Sequence, residues 1–264
     1  PAAIGVIALP VAGNAGQGPN HDYGTAAAIV LALAVAISLG VRMVAAVSAR
    51  DTAAANVAQT ARRIRHIVMI SNSVALIYAL VLGVILVSPE HLASAFGLAA
   101  LVVVAGLVLL LGIDLIGLRR GGFGGSSVLA IGVGFAVYAA VAVADTRTAT
   151  ALLAHRFTAW DVYLGYRLTR APSPASIAGM WRFDLLIAVA TVAAIVLYVI
   201  GIRRLSRAGT AWSRWRTLSW VLGCASLIVT SSSGLRTSGM AMFSVHMVEH
   251  MVLNMFIPVL LVLG

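Results

Sequence analysis

Of 264 residues, 61% are hydrophobic and only 10% are charged. A water-soluble domain carries roughly 25% charged residues, so these proportions exclude a soluble enzyme, a nucleic-acid reader and a disordered tail, and point to a polytopic membrane protein. The net charge of +10 comes from 18 basic residues, all arginine, against 8 acidic ones; set between apolar runs, such arginines hold topology and imply no nucleic acid.

In chain order, the first element is an apolar run from Pro1 to Ala12. It is too short to cross a bilayer and lacks a basic leader, so it reads as the end of a helix begun earlier. The chain closes at Gly264 directly after another apolar run, and both ends read as cut. Between them lie seven complete apolar segments, at residues 23–48, 66–87, 92–118, 126–144, 182–202, 217–233 and 242–263. About 20 such residues span the hydrocarbon core as a helix, twice the length of a barrel strand. The expected fold is all-α: a transmembrane helix bundle with about seven complete spans plus a partial N-terminal one. Three regions are expected: a transmembrane region at 1–145, an extracytoplasmic interfacial loop at 146–181 carrying Trp160, Tyr163, Tyr166 and Trp181, and a second transmembrane region at 182–264.

Arginine placement sets the orientation. Arg50, Arg62, Arg63, Arg65, Arg119, Arg120, Arg203, Arg204, Arg207, Arg214 and Arg216 fall on one set of connections, which the positive-inside rule puts in the cytoplasm. Two ionisable residues inside spans, Arg42 and Asp114, lie at similar depth and are expected to pair. Asp184 opens a span and is placed to cap it. The single cysteine, Cys224, sits in an apolar stretch and reads as a small buried hydrophobe.

The last span holds the candidate chemistry. His246 and His250 are four residues apart, which puts both rings on one helix face. Met242 lies one turn before His246 on that face, Glu249 stands between the two histidines, and Met247 and Met251 form an adjacent stripe. Imidazole with thioether is the donor set that selects copper(I) over harder divalent ions. The metal ligands expected are therefore His246, His250 and Met242, with Met247, Met251, Glu249 and the loop residue His21 as weaker candidates. The run also fits the His-x-x-Glu-His pattern of inverted zinc peptidases, but no second acidic ligand follows it, so no catalytic residue is assigned and no enzyme is expected.

Several runs carry a resemblance: Leu164-Gly-Tyr166, Trp181-Arg-Phe-Asp-Leu-Leu186, Gly201-Ile-Arg-Arg204, Ser231-Ser-Ser-Gly-Leu235, and the stretch from Phe243 to the end with its His-Met-Val-x-His-Met motif and Pro258. From about Trp160 onward the chain resembles the CtaG-type cytochrome c oxidase assembly proteins of actinobacteria. The region ahead of it resembles a degenerate form of the CopD copper-resistance proteins. Asn20-His-Asp22 matches there, while residues 29–40 lack the His and Trp expected in the next helix. The resemblance implies a multi-pass protein of the bacterial plasma membrane that binds copper(I) at its outer face and passes it on during oxidase assembly. Its partners would be the lipid bilayer and cytochrome c oxidase or another respiratory complex. Further ligands are expected outside this chain, so the piece alone can be free of copper. Two alternatives stand beside this reading: a structural or accessory subunit of a respiratory complex without metal, and a copper transporter.

Overall fold

The computed structural model describes residues 12–48, 57–120, 126–153 and 155–264. Residues 1–11 of the expected apolar run Pro1–Ala12, Arg50 and residues 121–125 lie outside them. Regular structure among the described residues is all helical: α1 His21–Ser48, α2 Val57–Leu86, α3 Ala95–Arg120, α4 Ser126–Asp145, the short α5 Thr150–Leu153, α6 Ala159–Tyr163 and α7 Pro174–Gly179, then α8 Leu185–Arg207, α9 Arg214–Ser232, α10 Gly234–Gly239, α11 Phe243–Met251, a π-helical turn Val252–Phe256, and α12 Ile257–Leu263. In lipid every backbone amide must bond within its own segment, which is why long apolar runs resolve as helices.

Among the described residues, six stretches are long and apolar enough to cross a membrane: His21–Val47, Ala61–Leu86, Ala95–Arg119, Val128–Leu153, Leu185–Arg207 and Phe243–Leu263. This is one fewer than the sequence led us to expect. The segment at 217–233 does form α9, whose 19 residues run about 28 Å at 1.5 Å each. Arg214 and Arg216 at one end and Thr230, Ser231 and Ser232 at the other leave it too polar to join the six.

The chain divides into two compact units, Pro1–Gly165 and Tyr166–Gly264. In the first, α1 packs on α2, α2 on α3, α3 on α4, and α4 back on α1, closing a four-helix ring. Its core is Leu31, Ala34, Val35, Ala75, Ala79, Val103, Leu107, Leu110 and Val137. Small residues let the helices approach closely: a Cβ at Gly106 of α3 would collide with Val137 Cγ2 of α4. The outward faces carry bare apolar side chains, Val84 at 87% and Val128 at 77% exposure, a surface suited to lipid rather than water. Within this ring Arg42 Nη2 donates to both carboxylate oxygens of Asp114 at 2.6 Å, so the pair expected from their depth is formed. Asn72 Nδ2 adds a third bond to Asp114 Oδ2 at 2.8 Å. Asn14 staples the far end: its Nδ2 donates to the carbonyl of Arg147 at 2.6 Å, and its Oδ1 accepts from the Ala149 amide at 2.9 Å.

In the second unit, Asp184 caps α8 as expected, accepting from the Ile187 amide at 2.9 Å. α9 packs against α8 and α12. Tyr198 stacks flat on Trp220 with ring centroids 4.6 Å apart, and Ser219 Oγ donates to the Leu260 carbonyl at 2.7 Å. Gly223 faces α12 so closely that a Cβ there would sit 2.7 Å from Leu261 Cδ2. α10 packs against both α7 and α11, and Cys224 is buried and free.

Candidate metal centre

α11 begins at Phe243 after an extended Met242 and carries the histidine pair through its middle. The i, i+4 spacing brings the two rings together as the sequence implied. Their Nε2 atoms are 2.9 Å apart, and the rings meet edge to face with centroids 4.3 Å apart. Glu249 lies below them, only 5% exposed, with Oε2 3.8 Å from His246 Nδ1 and Oε1 4.0 Å from Arg236 Nη1. Neither His246 Nδ1 nor Glu249 Oε2 makes a hydrogen bond, although both atoms are buried. The space for the carboxylate comes from Gly239, the last residue of α10, where a Cβ would lie 2.6 Å from Oε2 and 3.4 Å from His246 Cα.

The other candidates are placed differently. Met242 is extended at φ −133°, outside the helix, and lines a cavity of about 320 Å³ with Arg170, Pro172 and Ser238. Met247 and Met251 each follow a histidine by one residue, which turns them about 100° around the helix from the paired rings, and both are exposed. Met240 has its sulfur engaged, accepting from Arg236 Nη1 at 3.0 Å. His21 belongs to the first unit, where its Nδ1 donates to the carbonyls of Gly18 at 3.1 Å and Asp161 at 3.0 Å. Asp161 itself is a structural acceptor: bonds from the Thr158 hydroxyl and amide, and from His155 at 3.2 Å, hold its carboxyl down to about 2.

Reading the sequence missed one residue of the pair's surroundings. Asn254, in the π turn, points its amide Nδ2 at His250 Nδ1 from 3.2 Å. The turn has a local cause: Pro258 lacks the N–H that would bond the carbonyl of Asn254 four residues back, and the helix accommodates the loss by widening. Asn254 stands four residues beyond His250, so the spacing that joins the histidines also announces the third polar side chain.

Chemically, 2.9 Å between two imidazole nitrogens suits one shared hydrogen. Two nitrogens each about 2.0 Å from an ion at a tetrahedral angle are about 3.3 Å apart, so a few tenths of an ångström of ring movement would admit a metal. Among the described residues no group of three or more His, Cys, Asp or Glu side chains converges on such a point. An ion held by the two rings would have to complete its shell with other donors, such as a thioether, an amide oxygen or solvent.

Residues 196–264 match the cytochrome c oxidase caa3 assembly factor family (Caa3_CtaG). The match takes in the end of α8, all of α9 and α10, the histidine pair and the π turn. Over its whole length the chain is 43% identical to an uncharacterized protein of Mycobacterium leprae and 42% identical to one of Mycobacterium bovis. It spans 39% and 40% of those two relatives, and so about two-fifths of the length of the curated proteins it matches. No solved structure matches the chain.

Proposed function

We propose that this chain is the membrane-embedded part of a cytochrome c oxidase assembly factor, and that His246 and His250 take up copper(I) and release it to the next carrier. The observation that carries the reading is the facing Nε2 pair, 2.9 Å apart, inside the stretch that matches the assembly-factor family. Copper is cargo here, and no bond-making reaction is required. A two-nitrogen, partly exposed site suits that task, since a closed four-ligand cage would not release its ion. Delivery at the outer face follows if the arginine-rich connections are cytoplasmic.

The test is copper(I) competition against a colorimetric chelator, using purified protein in detergent. His246→Ala and His250→Ala should each weaken binding by at least tenfold. Parent-like affinity in both variants would move copper elsewhere. No copper uptake by the parent would favour a metal-free accessory role, in which the histidines serve only as a hydrogen-bonded pair.

A further inference from the structure

The hydrogen bonds from Asn254 to His250 and from His250 to His246 have a direction, and direction limits which atoms can bind a metal. The Asn254 amide nitrogen can only donate, so at 3.2 Å it meets a bare Nδ1 on His250. A neutral His250 then carries its hydrogen on Nε2 and gives it to His246 Nε2 at 2.9 Å. His246 in turn must hold its own hydrogen on Nδ1, which faces the otherwise unbonded Glu249 Oε2. In this arrangement a hydrogen occupies the gap between the two ε nitrogens, and the pair is closed to an ion. To open it, the hydrogen on His250 must move to Nδ1, and the neighbour there must accept rather than donate.

Asn254 can do both. Half a turn about its Cβ–Cγ bond exchanges the amide nitrogen for its oxygen. Its side chain is exposed and makes no other hydrogen bond among the described residues, so nothing else fixes the amide. We propose that Asn254 is the positioning residue that selects the tautomer of His250: with its nitrogen inward it closes the histidine pair, and with its oxygen inward it leaves both ε nitrogens free for a soft metal ion. Glu249 stays the same in either state: its Oε2, 3.8 Å from His246 Nδ1, is an acceptor placed near that nitrogen, which favours a hydrogen there. The metal arm of this inference rests on the copper reading above, while the tautomer arm does not.

The experiment uses the chain in lipid nanodiscs with 15N-labelled histidine. Long-range 15N–1H correlation spectra distinguish a hydrogen on Nδ1 from one on Nε2. In the parent, His250 should appear as the Nε2–H form. Asn254→Asp, which can only accept as a carboxylate, should convert it to Nδ1–H and tighten copper(I) binding by about tenfold, the lower end of the range for residues that orient metal ligands. Asn254→Leu should leave a mixture of tautomers, and Glu249→Gln should weaken copper(I) binding by about tenfold. A parent with His250 already in the Nδ1–H form, or tautomer populations that ignore both Asn254 changes, would overturn the proposal. If the tautomers respond but neither parent nor Asn254→Asp binds copper(I), the latch stands and the copper reading falls.

Discussion

The Arg42–Asp114 pair offers the sharpest test of how the first unit is held together. Both side chains are buried, at 7% and 4% exposure, and one guanidinium nitrogen reaches both carboxylate oxygens at 2.6 Å. Removing one partner strands a charge among apolar helices, which costs about 3–5 kcal/mol. Removing both leaves no charge to strand, and a buried ion pair exchanged for apolar residues of similar volume is often neutral or stabilising. Arg42→Met and Asp114→Leu should therefore each lower stability by several kcal/mol, while the double variant should lie within about 1–2 kcal/mol of the parent, a coupling of at least about 3 kcal/mol. Asn72→Ala, which removes the bond at 2.8 Å, should cost about 1–3 kcal/mol and less than either charge alone. Reversible unfolding in mixed detergent micelles, followed by helical circular dichroism, measures all four. Additive losses in the double variant would refute the assignment of α1 and α3 as helices joined by a mutually dependent charge pair.

Three further outcomes follow from geometry already described. Gly223→Ala places a methyl 2.7 Å from Leu261 Cδ2 and should destabilise the α9–α12 contact by about 1–3 kcal/mol, read by the same unfolding assay; an unchanged midpoint would mean the two helices separate freely. The Asp161 carboxyl, held down to about 2 chiefly by Thr158, stabilises the fold fully above the ordinary carboxylate value near 4; that contribution falls away as pH drops through 2, and Asp161→Asn should abolish this acid dependence in hydrogen exchange of the Thr158 and Asp161 amides. In a Cys224→Ala background, an impermeant thiol reagent on intact cells should label a cysteine at Ser173 and spare one at Ser213, and the reverse pattern would place the histidine pair on the opposite side of the membrane.

Much of this architecture is legible in the sequence because lipid leaves few choices: an apolar run of sufficient length becomes a helix. Arg42 and Asp114 announce their pairing because charges in hydrocarbon must find partners, and Asp184 announces its cap by preceding an apolar helix. The histidine pair is legible from its four-residue spacing alone. What the sequence hides depends on approach between separate segments or on a break in helical phase. Nothing in the spacing of Gly239 and Glu249 says that one makes room for the other across two helices. Met242 reads as a same-face ligand only if the helix extends back through it, and its extended backbone makes the helix start one residue too late for that. The polarity of α9 is visible residue by residue, yet a central apolar run from Val221 to Val229 outweighs it in a reading by eye.

The π turn at Val252–Phe256 gives the last span two independently phased halves. One extra residue in a helical turn rotates everything beyond it by about 100° relative to an unbroken α-helix. The face that carries His246 and His250 is therefore not the continuation of the face that seats Leu260 and Leu261 against α9. Side chains of the upper half can change for chemistry while those of the lower half keep their seat, and a single-residue deletion within the turn would force the two tasks onto one register.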